Sequence, residues 1–237
     1  TQMRLKKFIY IELWKMMRNH KILAFLLVET IAIAIPLLDP VNSDVFSTTA
    51  IYLSPYMGIS LTFRFIYSSM IVSDTFSKDI ERGILNAYIA GGISRKKILY
   101  GKILCVYLIL SLCTLFSLIL YTCVNFEIQG LFLPDKDYFV SILLTIIPLL
   151  INVLFLFIVD GIFGSSFITV FTAIAFVVVS SFVPHDIAKW LYISYNNPIT
   201  VILYQKHEDI LCMILTFIGS FVIFSILIYQ LFTRRRS

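Results

Sequence analysis

Asp79-Ile80-Glu81-Arg82-Gly83-Ile84-Leu85-Asn86, running on through Gly91-Gly92 to Ser94-Arg95-Lys96-Lys97, is a charged island between two long apolar runs. The run before it covers about 52–76 and the run after it about 98–123. Each is long enough to cross a bilayer, since a helix rising about 1.5 Å per residue needs roughly 20 apolar residues to do so. Working outward, the same test finds four more runs, at about 21–38, 139–159, 163–183 and 209–232. The expected fold is therefore an all-α membrane protein with six transmembrane helices. The whole chain, 1–237, reads as one transmembrane domain.

Composition agrees with this reading. Hydrophobic residues make up 59% of the chain and charged residues 14%, whereas soluble domains carry roughly 25% charged residues. The net charge is +5, but the basic residues sit beside the apolar runs and form no separate basic domain, so nucleic acid is not an expected partner. Orientation in a bilayer explains them better. With both termini inside, Arg4, Lys6, Lys7, Lys15, Arg18, Lys21, Lys78, Arg82, Arg95, Lys96, Lys97, Lys102 and Arg234 to Arg236 fall on the cytoplasmic side. Lys136, Lys189 and Lys206 fall outside, and Arg64 lies within the second span. Lys and Arg resist translocation, and this asymmetry would collapse if one span were lost. The first run has about twenty helix-like residues ahead of it and no small-residue cleavage pattern behind it, so it reads as a retained helix rather than a signal peptide.

Residues 1–20 form an expected interfacial helix. Leu5, Phe8, Ile9, Leu13 and Met16 share one face, with Arg4, Lys7, Lys15 and Arg18 roughly opposite; Glu12 intrudes on the apolar side and Trp14 on the basic one. Such a helix can anchor on lipid phosphates or pack against a cytoplasmic partner. Residues 77–97 form a cytoplasmic segment between the second and third spans. Ile84, Leu85 and Tyr88 recur at three- and four-residue spacing and predict the apolar ridge of a short helix, one suited to docking in a groove of a soluble partner. Glu81 and Arg82 stand at its rim, and Gly91-Gly92 ends it because glycine takes the left-handed conformation readily. On the outer side, 184–208 holds Trp190, Tyr192, Tyr195 and Tyr204 around Pro198, which predicts short interfacial or re-entrant helices.

Ile11-Glu12-Leu13-Trp14-Lys15 through Arg18, ahead of the first span, resembles the N-terminal helix of permease subunits of type-2 ABC exporters. Glu81-Arg82-Gly83-Ile84-Leu85-Asn86, then Ile89-Ala90-Gly91-Gly92-Ile93-Ser94-Arg95 and Gly101-Lys102, looks like the coupling-helix segment of the same family. The spacing of Gly and Ser-Arg is most similar to the branch that moves antimicrobial or toxin peptides, including bacitracin- and lantibiotic-immunity permeases and the phenol-soluble-modulin exporter.

The resemblance implies a multi-pass subunit of the bacterial plasma membrane that extrudes an amphipathic or hydrophobic peptide and confers immunity to it. It implies two copies of an ABC ATPase partner, which binds ATP and Mg, and a second permease subunit in a homodimer or heterodimer. It also implies that Asp79, Glu81, Arg82, Gly83, Ile84, Leu85, Asn86 and Tyr88 make the ATPase contact, with Glu12, Lys15 and Arg18 on the interfacial helix. The chain has no GxxxxGK[ST] phosphate loop, so it is not expected to be an enzyme or to bind a cofactor itself. The competing expectations are a non-transporting scaffold or sensor component on the same fold, and an exporter of a non-peptide drug or lipid.

Other chemistry is weakly signalled. Cys105, Cys113, Cys123 and Cys212 lack metal spacing and read as packing residues. His185-Asp186 and His207-Glu208-Asp209 do not form a compelling metal motif, and Gly164-Ser165-Ser166 has no paired base in a matching span, so no catalytic or metal site is expected. Glu29 and Arg64 are the ionisable residues set well inside the expected spans. A charge near the bilayer centre costs on the order of 3 kcal/mol on insertion scales, so they should either pair with each other or line a translocation path.

Overall fold

The computed structural model describes residues 5–18, 20–38, 63–129, 136–182 and 207–234. Among these residues the secondary structure is helical throughout, without a strand. The elements are α1 (Leu5–Met17), α2 (His20–Leu38), α3 (63–75), α4 (Ser77–Glu81), α5 (Ile84–Ala90), α6 (Arg95–Gln129), α7 (Lys136–Phe163), α8 (Ser166–Phe182) and α9 (His207–Arg234). One stretch, Arg95–Leu120 in α6, is long and apolar enough to cross a membrane by length and composition. Shorter apolar stretches lie at Leu149–Phe163, Ser166–Val179 and Leu215–Leu231. The expected all-helical class is present, and the six-span arrangement is taken up below as a proposal. The expected outer segment, 184–208, lies almost wholly outside the described residues, as do Trp190, Pro198 and His185.

Helices α2 and α3 run antiparallel, and three contacts fix their register. Lys21 Nζ lies 2.8 Å from Asp74 Oδ2, the rings of Phe25 and Tyr67 are 5.7 Å apart, and Arg64 Nε donates to Glu29 Oε1 at 2.9 Å. As the residue number rises on one helix it falls on the other, as antiparallel neighbours require. The buried hydroxyls of α3 satisfy themselves on their own helix: Ser68 donates to the Arg64 carbonyl, Ser69 to Ile66 and Thr75 to Ile71. That leaves α3 a face of small side chains on which neighbours can pack closely.

Helix α7 packs against α6, α8 and α9, and α1 lies against α6. An aromatic cluster joins four helices: Phe155 of α7 lies 6.2 Å from Phe65 of α3, 5.2 Å from Phe176 of α8 and 5.9 Å from Phe224 of α9. Ring pairs at these separations add to the burial of their area, so this cluster ties the four helices together. Exposed apolar side chains line the outside, among them Leu108, Leu112 and Phe116 of α6, and Phe171, Val178 and Val179 of α8.

Candidate functional site: a buried ion cluster beneath the short helix

The short helix α5 is fixed at both ends by backbone geometry. Gly83 enters it with φ +68° and Gly92 leaves it with φ +88°, a region that residues with a Cβ adopt at a cost. At its end the Gly92 amide donates to the Ile89 carbonyl at 2.9 Å and the Ile93 amide to the Tyr88 carbonyl at 3.2 Å. These two bonds make a Schellman motif, and Ile93 supplies its apolar contact by joining a cluster with Tyr88, Leu85, Phe8 and Ile98. The sequence correctly places the end of the helix at the Gly91-Gly92 pair.

Which way α5 faces differs from the expectation. Leu85 and Tyr88 turn inward onto Phe8 of α1, with the rings of Phe8 and Tyr88 edge to face at 4.9 Å. Both are half-buried, so α1 covers part of the expected ridge. A seven-residue helix covers its apolar stripe with the nearest apolar surface of its own chain, and α1 supplies that surface. What α5 and its approach leave exposed is Glu81, Arg82, Asn86, Ala87 and Ala90. Ile84 and Gly83 are half-buried.

Beneath α5 lies a cluster of charges with almost no exposure. Lys102 of α6 and Glu12 of α1 are wholly buried, and Asp79 of α4 nearly so. Lys102 Nζ donates to the Thr75 carbonyl at 2.7 Å, to Asp79 Oδ2, and to Glu12 Oε1 at 3.4 Å. The Tyr88 hydroxyl also donates to Glu12 Oε1, at 2.9 Å, and Lys15, half-exposed at the rim, donates to Asp79 Oδ1. Glu12 Oε2 is buried and has no hydrogen-bond partner among the described residues. The two carboxylates and two ammonium groups balance, and the hydrogen bonds join five elements, α1, α3, α4, α5 and α6. Buried charge is tolerated when it is both paired and hydrogen-bonded. Burial, followed by the nearby Glu12 carboxylate, pushes the Tyr88 hydroxyl above its ordinary 10.0, so it stays a donor at any physiological pH.

Close packing of α1 on α6 depends on Gly101. A Cβ at that position would lie 2.6 Å from Phe8 Cε1, well inside contact distance. The absent side chain lets the Phe8 ring approach α6 closely, with Glu12 one turn further along, beside Lys102.

Two further groups complete the picture. Asp160, fully buried near the end of α7, accepts from the Ser77 amide at 3.1 Å and from the Thr169 hydroxyl at 2.9 Å, and so joins the α7–α8 corner to the start of α4. Deeper in the bundle, Glu29 and Arg64 form a two-bond pair, Nε to Oε1 at 2.9 Å and NH2 to Oε2 at 3.2 Å, both side chains nearly inaccessible. They meet each other, as one of the two expected arrangements requires.

No protein-family model and no curated protein matches the chain. The functional reading therefore rests on the residues themselves. Sequence reasoning singled out Glu12, Lys15, Asp79 and Tyr88 but did not bring them together, and it missed Lys102 and Asp160 as site residues. The signal for Lys102 was present: Glu12 on an apolar face is costly without a cation, and Lys102 lies seven residues into α6. Asp160 stands one residue beyond the expected end of the fourth span, a position at which an acid carries no distinguishing signal. Arg18 lies outside the cluster, its guanidinium 4.5 Å over the Trp14 ring. Among the described residues no group of three or more His, Cys, Asp or Glu could hold a metal.

Proposed function

We propose that this chain is the transmembrane subunit of an ATP-driven exporter of amphipathic or hydrophobic peptides, moved by a separate ABC ATPase that docks on α4 and α5. The observation that carries this reading is the mechanical continuity beneath α5. A short helix with fixed entry and exit is joined by buried hydrogen bonds to the interfacial helix α1 and to the long helix α6. A push on its exposed side is therefore delivered to a membrane-length helix rather than absorbed in a loop. Buried polar networks that are nearly fully satisfied stiffen the elements that they join. The docking surface in this reading is the exposed arc of Glu81, Arg82, Asn86 and Ala90, where the two charges decide partner choice and association rate more than affinity.

In this reading six helices span the plasma membrane with both termini in the cytoplasm. Support comes from the gathering of contacts at one end of the bundle: Lys96 lies 4.6 Å from the Tyr229 ring, joining the start of α6 to the end of α9. Asp160 near the end of α7 and Lys21 at the start of α2 meet the α3–α4 region at that same end. Partners are two ATPase copies binding ATP and Mg, a second permease subunit in a homodimer or heterodimer, the peptide and surrounding lipid.

The test is purification of the full chain from its native membranes in mild detergent. The expected companion is a soluble ATPase with a GxxxxGK[ST] loop, whose hydrolysis rises when an amphipathic peptide is added. Reversing the outward charges, Glu81→Arg with Arg82→Glu, should release it while the chain still inserts. Retention of the ATPase by that variant would move the contact elsewhere, and the absence of any ATPase would favour a scaffold.

A further inference from the structure

Helix α1 has a second organised face. Opposite Phe8, Glu12 and Met16, the side chains of Tyr10, Trp14 and Met17 stand 69%, 52% and 73% exposed at three- and four-residue spacing. Single exposed apolar residues are ordinary, but three in line on one helix make a continuous stripe. Lys6 flanks this stripe on one side, and Lys7 and Arg18 on the other, all exposed. Glu12, the one acid in α1, points the other way into the ion cluster. No ion pair among the described residues engages Lys6, Lys7 or Arg18, so the face carries uncompensated positive charge. Arg18 stacked over Trp14 holds a cation and an indole together as one unit.

We propose that this face of α1 is a binding surface for the headgroups of anionic phospholipids in the adjoining leaflet. Tyr and Trp rings favour the headgroup level, where one edge is apolar and the other wet. Lys and Arg beside them attract phosphodiester charge at an anionic surface. A helix with a bulky apolar stripe between two basic margins fits a leaflet better than an acidic protein, which would meet the cations and leave Tyr10, Trp14 and Met17 poorly covered. The inference rests on the membrane reading above and extends it from a generic anchor to a charge-selective one. Because α1 is also tied to α4, α5 and α6 through Glu12 and Lys15, the lipid-facing and partner-facing sides of the apparatus share one helix.

The sequence holds two tryptophans, Trp14 and Trp190, so Trp190→Phe leaves Trp14 as a unique probe. That variant is reconstituted in vesicles containing brominated phosphatidylglycerol in a phosphatidylcholine background, and separately with the bromine carried on the phosphatidylcholine. Quenching of Trp14 by the brominated anionic lipid should exceed that by the brominated neutral lipid by about twofold or more at equal mole fraction. The preference should fall towards one in Lys6→Gln/Lys7→Gln/Arg18→Gln, and in wild type at about 1 M salt, where the Debye length shrinks to about 3 Å. Equal quenching by the two lipids would overturn the charge selectivity. Quenching by aqueous iodide but by neither lipid would overturn the surface altogether and give the face to a soluble partner. Alkaline carbonate extraction of the same vesicles reports on spanning separately. Release of the chain would reject the transmembrane reading, while the Trp14 comparison still decides the lipid surface.

Discussion

Four charges meet where α1, α4 and α6 come together, and loss of Lys102 leaves its neighbours worst placed. Lys102→Met would strand Glu12 and Asp79 in a site with almost no exposure, with Lys15 alone to answer both. Breaking a buried pair by removing one partner typically costs about 3–5 kcal/mol, and thermal unfolding in detergent should register a loss of that order. Glu12→Gln should cost clearly less, because an amide oxygen still accepts from Tyr88 and Lys102, and no described residue hydrogen-bonds Glu12 Oε2. The pair in the bundle calls for a cycle instead. Glu29→Gln or Arg64→Gln alone should be more damaging than both together, with a coupling energy above about 1 kcal/mol; additive losses would reject an energetically coupled pair. Tyr88 adds a pH signature. A hydroxyl whose folded pKa lies above its unfolded value favours the folded state below about 10 and loses that contribution as pH climbs through the folded value. The advantage of wild type over a Tyr88→Phe variant in melting temperature should therefore be constant up to about pH 10 and shrink steadily from there towards pH 12. At this scale Glu29 and Arg64 were legible because two ionisable groups inside apolar runs are conspicuous. Lys102 was not, because seven residues into a helix with a basic start it served equally well as a marker of the cytoplasmic side.

Between α1 and α6 the fit depends on one missing side chain. Gly101→Ala would set a methyl group 2.6 Å from the Phe8 ring, forcing α1 off α6 and stretching the Glu12–Lys102 contact, which is already 3.4 Å long. Overpacking of this kind costs about 1–3 kcal/mol. Pairing it with Phe8→Leu, a smaller side chain, should recover part of the loss in the same melting assay; no recovery would mean that Phe8 is not the obstruction. The amphipathic stripe of α5 was readable from the spacing of Leu85 and Tyr88, but its target was not. Periodicity tells which residues want cover and is silent on whether the cover comes from a partner or from α1. Helix α1 shows the same ambiguity: Trp14 looked like an interruption of a basic face, whereas with Tyr10 and Met17 it belongs to a second apolar stripe on the side of the helix away from Phe8.

Across the whole molecule, the arrangement of the ends can be tested without a structure. With Cys105, Cys113, Cys123 and Cys212 replaced, single cysteines introduced beside Asp44, Lys136 or Lys206 should react with a membrane-impermeant thiol reagent in intact cells, while one beside Lys96 should react only after lysis. Labelling beside Lys96 from outside would overturn the six-span orientation and, with it, a cytoplasmic partner for α5. The helical class was legible from the apolar runs and the distribution of Lys and Arg. Which helices touch was not, because a helix that is apolar all round does not mark in its sequence the side that meets a neighbour. The aromatic cluster around Phe155 shows this, since none of its four rings occupies a position that the sequence distinguishes from the many other phenylalanines.

The two sides of α5 answer to different constraints, and that separation bears on how such a chain can change over generations. Leu85 and Tyr88 are committed to α1, and Gly83 and Gly92 to the bends at either end, so mutational freedom there should be narrow. Arg82, Asn86, Ala87 and Ala90 touch little of their own fold and can drift at small cost to stability. A library randomised at those four positions should yield many folded members and, under the exporter proposal, few that keep the ATPase. If α5 is the docking site proposed above, a duplicated copy could acquire a new partner by altering a handful of surface codons, while everything beneath them stayed as it is.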